Sequence, residues 1–222
     1  MAVKHLVTFP TASLKSKAQT VTKFDNNLRQ LIADMIETMN DVSGVGLAAP
    51  QIGVQLRVIV IAGQIARSGN DATPTKDEPK TLFAAGGPAT GKRTRRTTAG
   101  RPIAVSSTEA EETTAGQPTT MPPLALINPT IAAANGEQAE EEGCLSVPDY
   151  STKVKRFTRI VVKAQDIDQA PLEFVAEDFF ARVIQHELDH LDGILFIDRI
   201  SSLKRALYRK KIKKILQTKD KK

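Results

Sequence analysis

The sequence has one cysteine, few histidines and no long apolar run, and each shortage excludes a class of protein. Among 222 residues Cys144 is the single cysteine, so the chain cannot form an internal disulfide. A lone thiol suits the reducing cytosol and stays available for chemistry or metal binding. The chain has no stretch of about 18 apolar residues, and its first residues lack the apolar core of a signal peptide. We therefore expect a cytoplasmic protein with no membrane span.

The charge of the chain is distributed unevenly. The formal net charge is +6, but the last 22 residues alone contribute +9, from ten basic residues and one acidic residue. The preceding 200 residues therefore sum to −3. Because the basicity belongs to residues 201–222, we expect any contact with an acidic partner to be made there.

Hydrophobic spacing predicts regular structure at both ends of the chain. Apolar residues at three- and four-residue intervals predict helices over residues 25–40, 177–191 and 201–217. β-Branched segments predict strands over residues 55–61, 124–128, 157–164 and 172–175. This order favours an α+β fold in which a mostly antiparallel sheet packs around the helix 177–191, with a basic helix at the C-terminus.

The segment 62–121 has no hydrophobic periodicity and is rich in Thr, Ala, Gly, Pro and charge. We predict a single domain over residues 1–200, interrupted by this low-complexity insertion and followed by the basic helix or tail 201–222. Two interpretations of the insertion remain open. It is either disordered or loosely packed, or it is a lid or partner-binding arm that uses Lys92, Arg93, Arg95 and Arg96.

Residues 185–193, QHELDHLDG, contain the pattern H-E-x-x-H. On a helix, His186 and His190 lie one turn apart on the same face, so both imidazoles can bind one metal ion. Glu187 is then adjacent to the first ligand and can act as a base toward a metal-bound water. The alternative is that both histidines are ordinary surface residues.

Two histidines leave a catalytic metal ion short of a ligand, because such sites usually have three protein ligands and one open position. The chain has only three histidines, and none follows His190. The lone Cys144, in the segment EEGCLSVP at residues 141–148, is the available third ligand. The alternative is that this cysteine is a small packing residue.

Residues 44–53, GVGLAAPQIG, contain three glycines and a proline. This composition predicts a tight loop whose backbone can approach a ligand closely. It is not a phosphate-binding loop, because no G-K-[ST] follows it. Gln51 has the only polar side chain in the segment, and it is either a solvent-facing amide or a donor to a developing oxyanion.

Taken in order, GVGLAAPQIG, EEGCLSVP and QHELDHLDG resemble the three signature motifs of the peptide deformylase family. The resemblance covers roughly residues 1–61 and 122–217 and leaves out the insertion 62–121. It implies a catalytic domain that hydrolyses the N-formyl group from the formyl-methionine of nascent polypeptides and releases formate. It also implies that metal-bound water attacks the formyl carbon while Glu187 moves the proton from the water to the leaving amine.

The resemblance further implies a role for each matching position. Cys144, His186 and His190 would bind one divalent ion, Fe²⁺ in the cell, with Zn²⁺, Ni²⁺ or Co²⁺ as substitutes; the donor set by itself suits zinc. The oxyanion would be stabilised by Gln51 and by the backbone N–H of Leu145. The substrate would be bound by Val45, Gly46, Gly143 and Arg156. Candidates for the wall of the methionine pocket are Val45, Phe179 and Val183, with core packing as the alternative.

The basic C-terminal helix has two interpretations. It is a docked amphipathic helix with a solvated basic face, or it contacts ribosomal RNA phosphates, which would suit an enzyme that acts on nascent chains. Its predicted apolar side includes Leu203, Leu207, Ile212 and Ile215.

Two other functions of the protein also remain open. A zinc peptidase is disfavoured by Cys144 and by the lack of a downstream ligand, and a catalytically inactive ribosome- or RNA-binding protein would need a damaged site.

Overall fold

The computed structural model describes residues 2–63 and 122–219. The predicted roles of the insertion, including its basic cluster, therefore lie outside the described residues. The described residues form three α helices and seven β strands, in the order α1 (Asn26–Asp41), β1 (Gly46–Ala48), β2 (Val58–Ile61), β3 (Leu124–Asn135), β4 (Gln138–Cys144), β5 (Val147–Arg156), β6 (Arg159–Gln165), β7 (Pro171–Glu177), α2 (Asp178–Leu191) and α3 (Ser202–Lys219). Short 3₁₀ turns lie at Ala12–Lys15, Ala49–Ile52 and Phe196–Asp198.

The strands form two antiparallel sheets. Five of them pair in the order β1-β2-β3-β6-β7, and β4 pairs with β5 as a separate hairpin. The fold is thus α+β with mostly antiparallel sheet, as the sequence predicts. Strands β1, β4 and β5 are additions to that prediction, and β3 continues to Asn135, seven residues beyond its predicted end.

Strand β2 explains how the sheet is covered on both faces. All four of its residues are fully buried, which requires an apolar layer on each side. Ile59 and Ile61 belong to the core that includes α2, whereas Val58 and Val60 belong to the core that includes α1. Successive strand residues point to opposite faces, so this continuous apolar run places α1 and α2 on either side of the sheet.

A third core holds α3 against the rest of the protein. Tyr208 and Ile212 are buried beside Leu14, Val147, Val154 and residues 195–197. Leu203 and Leu207, predicted to lie on the apolar side, are instead 69% and 60% exposed. Ile212 and Ile215, also predicted on that side, do pack in this core. The predicted apolar side is therefore confirmed at the two isoleucines and wrong at these two leucines.

Asp34 on α1 anchors the N-terminal segment. Its carboxylate accepts hydrogen bonds from the backbone N–H of Ala2 at 2.9 Å and from Gln30 Nε2 at 2.7 Å, and it pairs with Lys4 Nζ at 3.0 Å. These interactions, the one with Lys4 first, lower the pKa of Asp34 from 3.8 to about 2.

We expect Asp34→Asn to reduce the free energy of unfolding at neutral pH. Because folding lowers the pKa of this carboxyl, its contribution is present above its unfolded pKa and is lost as the pH falls toward about 2. Urea midpoints of wild type and variant, measured from pH 7 downward, should therefore converge below about pH 4. Asp41→Asn, at an exposed position of the same helix, is the control, and a difference that stays constant with pH would contradict this assignment.

Candidate active site

Helix α2 and the end of β4 bring three metal-ligating side chains together. Cys144 is the last residue of β4, and His186 and His190 lie one turn apart on α2. One ligand atom of each lies within 4.8 Å of the other two, and Cys144 Sγ is 3.2 Å from His190 Nε2. The structure thus brings together the three residues predicted as ligands from separate parts of the sequence.

The arrangement of these atoms fits a divalent transition-metal ion. One soft sulfur and two imidazoles are a donor set that such ions prefer, and three protein ligands leave a fourth position open. His186 Nδ1 lies 3.1 Å from Glu142 Oε2, which leaves Nε2 of the same ring for the site. His190 Nδ1 is buried and has no hydrogen-bond partner among the described residues.

Glu142 is held by a network of buried charges behind the histidines. Arg156 donates to both of its oxygens, at 2.8 and 2.9 Å, and also donates to Asp189 at 2.6 Å. Arg199 pairs with Asp189 from the other side. Burial alone would raise the pKa of Glu142, but the hydrogen bonds from Arg156 and His186 lower it to about 2. Glu142 is therefore ionised and can accept a hydrogen bond from His186.

The position of Arg156 does not agree with its predicted contact with substrate. Its side chain is 2% exposed, and it is not among the residues that line the cavity beside Cys144. The guanidinium is engaged by two carboxylates instead. Arg156 therefore contacts Glu142, which in turn contacts His186, and does not face the cavity.

Glu187 is buried next to the ligand cluster. The residue is only 4% exposed to solvent, and its Oε2 has no hydrogen-bond partner within the described ranges. Burial, with a contribution from the charge of Glu142, raises the pKa of Glu187 to about 7, although His186 opposes the shift. A Cβ on Gly46 would lie 2.6 Å from Glu187 Oε1. Position 46 therefore needs glycine because the carboxylate packs directly on the backbone of β1.

Gln51 points its amide nitrogen into the same site. Its Oε1 accepts a hydrogen bond from the backbone N–H of Ala48 at 2.7 Å, and its Nε2 lies 3.7 Å from Cys144 Sγ. The first contact fixes the orientation of the amide, since only the carbonyl oxygen can accept from that N–H. The side chain is 2% exposed, so the solvent-facing alternative does not hold.

A cavity of about 600 Å³ opens beside these residues. Its lining includes the predicted residues Val45, Gly46, Gln51, Gly143, Cys144, Leu145, Phe179, Val183, His186 and Glu187. Val45 and Phe179 are 39% and 42% exposed, so they border open space rather than the core. The sequence did not identify Pro148, Asp149, Tyr150 and Arg182, which also line the cavity.

The whole chain is similar to known proteins. The polypeptide deformylase family model matches residues 3–83 and 98–206. The peptide deformylase of Thermodesulfovibrio yellowstonii is 37% identical over 213 residues, covering 96% of this chain and 98% of that protein. These matches extend into residues 62–121, so the limits set by the motif resemblance were too narrow.

Solved structures give the same result. The crystal structure of a peptide deformylase from Legionella pneumophila is 33% identical with a TM-score of 0.67, covering 100% of this chain and 99% of that one. A Met-Ala-Ser-bound class I type b peptide deformylase from Acinetobacter baumannii is 28% identical with a TM-score of 0.62, covering 90% and 99%.

Proposed function

Because the chain belongs to the peptide deformylase family of hydrolases, we propose that it removes the N-formyl group from the formyl-methionine of nascent polypeptides and releases formate. The observation that carries this proposal is that Cys144, His186, Glu187 and Gln51 line one cavity, while His190 completes the group of ligand atoms within 4.8 Å of one another. A relative whose structure contains Met-Ala-Ser supports a substrate that begins with methionine.

We propose that Cys144, His186 and His190 hold one divalent ion, Fe²⁺ in the cell, with Zn²⁺, Ni²⁺ or Co²⁺ as substitutes. When bound, such an ion polarises a carbonyl and lowers the pKa of a water molecule. Glu142 supports the site by fixing the ring of His186, in the way that outer partners of ligating histidines generally do.

Glu187 moves the proton in this proposal. Its carboxylate accepts a proton from the attacking water and delivers it to the amine nitrogen as the C–N bond of the formamide breaks. A pKa of about 7 suits both transfers near neutral pH. The carboxylate has room to do this because Gly46 presents no side chain against it.

Gln51 Nε2 and the backbone N–H of Leu145 donate hydrogen bonds to the oxygen that becomes negative in the transition state. Preorganised donors of this kind each contribute about 3–4 kcal/mol.

Val45, Phe179 and Val183 form the wall for the methionine side chain. Strand β1 is an edge strand of the five-stranded sheet, so the backbone at Gly46 has a free side on which an extended peptide can pair.

We expect metal-loaded protein to hydrolyse formyl-Met-Ala-Ser and to leave acetyl-Met-Ala-Ser intact, because the site next to Cys144 accepts only the smaller acyl group. Formate release and the new free amine measure the reaction. Cleavage of the Met–Ala bond instead would identify a peptidase. Absence of both reactions, with metal bound, would favour the inactive RNA-binding alternative.

We also propose that the protein works in the cytoplasm on emerging chains and contacts the ribosome through α3. Arg209, Lys210 and Lys213 are exposed on this helix, and cations in such positions bind RNA phosphates with strong salt dependence. Within the described ranges, no helix combines the length and apolarity needed to cross a membrane.

Replacing Arg209, Lys210 and Lys213 together by glutamine should weaken co-sedimentation with ribosomes at low salt while formate release is unchanged. Substitution is preferable to deletion of residues 201–222, because deletion would remove Tyr208 and Ile212 from the third core. The control makes the same charge change at three exposed lysines elsewhere, Lys17, Lys23 and Lys153. Equal binding by both triple variants would exclude a specific contact through α3.

A further inference from the structure

Strand β5 bulges opposite the end of β4, where the candidate metal ligand lies. Gly143 pairs with Ser151 and Cys144 pairs with Val147, so the register leaves residues 148–150 without a paired residue on β4. All three of these residues line the cavity beside Cys144. Asp149 within this bulge has a left-handed backbone with φ of 57°, which is unfavourable for a residue other than glycine. Strand pairing therefore does not hold this part of the cavity wall in place.

Helix α3 contacts each residue of the bulge 148–150. The hydroxyl of Tyr208 donates to the carbonyl oxygen of Pro148 at 3.3 Å, and Lys211 Nζ donates to the carbonyl oxygen of Asp149 at 3.2 Å. The ring of Tyr150 lies 4.6 Å from the ring of Tyr208, centroid to centroid. Two backbone carbonyls of the unpaired residues thus accept hydrogen bonds from one helix.

Tyr208 is well suited to a fixed contact of this kind. The residue is 2% exposed and packs in the third core. Burial, together with the charge of Asp149, raises the pKa of Tyr208 to about 12. The phenol therefore remains a hydrogen-bond donor throughout the pH range in which the enzyme would work.

We propose that Tyr208 and Lys211 are positioning residues for the deformylase reaction, because they hold the bulge 148–150 and thereby set the shape of the substrate cavity beside Cys144. The inference rests on the proposed function and adds to it. It makes α3 a part of the peptide-binding site rather than a separable basic tail. The metal ligands and Glu187 lie on β4 and α2, so loss of the α3 contacts should affect peptide binding more than the chemical step.

The test uses Tyr208→Phe, which removes only the hydroxyl, and Lys211→Met, which removes only the donor. For each variant we expect the KM for formyl-Met-Ala-Ser to rise about 2- to 10-fold, the range that follows from losing one hydrogen bond, with kcat changed less than about twofold. The Kd of metal-loaded protein for the product Met-Ala-Ser, measured by calorimetry, should rise by the same factor. The matched controls are Leu207→Ala on the exposed side of the same helix and Lys23→Met at an exposed position of the N-terminal segment. Neither should change KM or Kd.

Two results would overturn the inference while leaving the proposed function intact. One is that the wild type is active and that both variants, Tyr208→Phe and Lys211→Met, have the same KM and Kd as the wild type. The other is a parallel loss of kcat, metal content and thermal stability, which would show a purely structural role. Lys211 is exposed, so Lys211→Met retains the fold even if the buried Tyr208 variant does not. A wild type that neither hydrolyses formyl-Met-Ala-Ser nor binds Met-Ala-Ser would remove the proposed function and the inference together.

Discussion

Glu187→Gln is expected to lower kcat by about 10²- to 10⁴-fold, the range associated with losing a positioned general acid or base. The carboxamide fills the same space against Gly46 but cannot take a proton from water and return it to the amine. The ligand atoms of Cys144, His186 and His190 are untouched by this change. Formate release under saturating formyl-Met-Ala-Ser measures the effect, with metal content determined on the same samples.

The comparison variant is Glu173→Gln, at an exposed position on β7. Within the described part of the chain, its carboxylate forms an ion pair with Lys163 and with no other residue. It should behave as wild type. The KM of Glu187→Gln should also stay close to the wild-type value, since Glu187 acts on the reacting atoms and not on the peptide. If kcat fell less than about tenfold, well below the usual range, another group would have to transfer the proton.

Cys144→Ala is expected to abolish stable metal binding as well as activity. The sulfur is one of three ligand atoms within 4.8 Å of one another, and two imidazoles alone hold a divalent ion weakly. Removing an outer hydrogen-bond partner of a metal ligand typically lowers metal affinity by about 10- to 100-fold. Removing the ligand itself should lower metal affinity by more than this. Metal titration against a competing chelator measures this loss independently of turnover.

Glu142→Gln provides the graded comparison for this experiment. It leaves all three ligands in place but weakens the hydrogen bond to His186 and removes the charge that pairs with Arg156. Its metal affinity should fall between that of wild type and that of Cys144→Ala, with thermal stability measured on the same samples to separate the loss of the buried ion pair. Equal affinity in wild type and Cys144→Ala would exclude the cysteine as a ligand. Metal analysis of anaerobically purified wild type tests the expectation of Fe²⁺, and an iron-free protein with full activity would refute it.

The residues of the candidate site could be predicted from the sequence because few residues were available for the chemistry. With one cysteine and three histidines, the helical spacing of His186 and His190 left Cys144 as the candidate for a third ligand. The glycine-rich segment around Gln51 was predicted as a loop, and part of it is instead strand β1. Three residues are too short a segment for β periodicity to be recognised.

Features that depend on distant partners could not be predicted. The hairpin of β4 and β5 contains many charged residues that suggest a solvated loop, and only its pairing makes it a strand unit. Arg156 and Glu142 are buried because residues of β4, β5 and α2 neutralise one another. On α3, the sequence predicted Ile212 on the apolar side but not Tyr208. Packing against Val147 and Phe196 buries both of these residues and leaves Leu203 and Leu207 exposed.

The chain of charges from Glu142 through Arg156 and Asp189 to Arg199 has a consequence for how this family member can evolve. Its two acids and two bases cancel, and three of the four side chains are buried. Replacing one buried member leaves its partner as an unpaired buried charge, which is strongly destabilising, whereas replacing a pair by apolar residues is often tolerated. Substitutions at these positions are therefore expected to occur together. A sequence variant in which only one of them has changed should be less stable than the original protein and less stable than the variant in which both have changed.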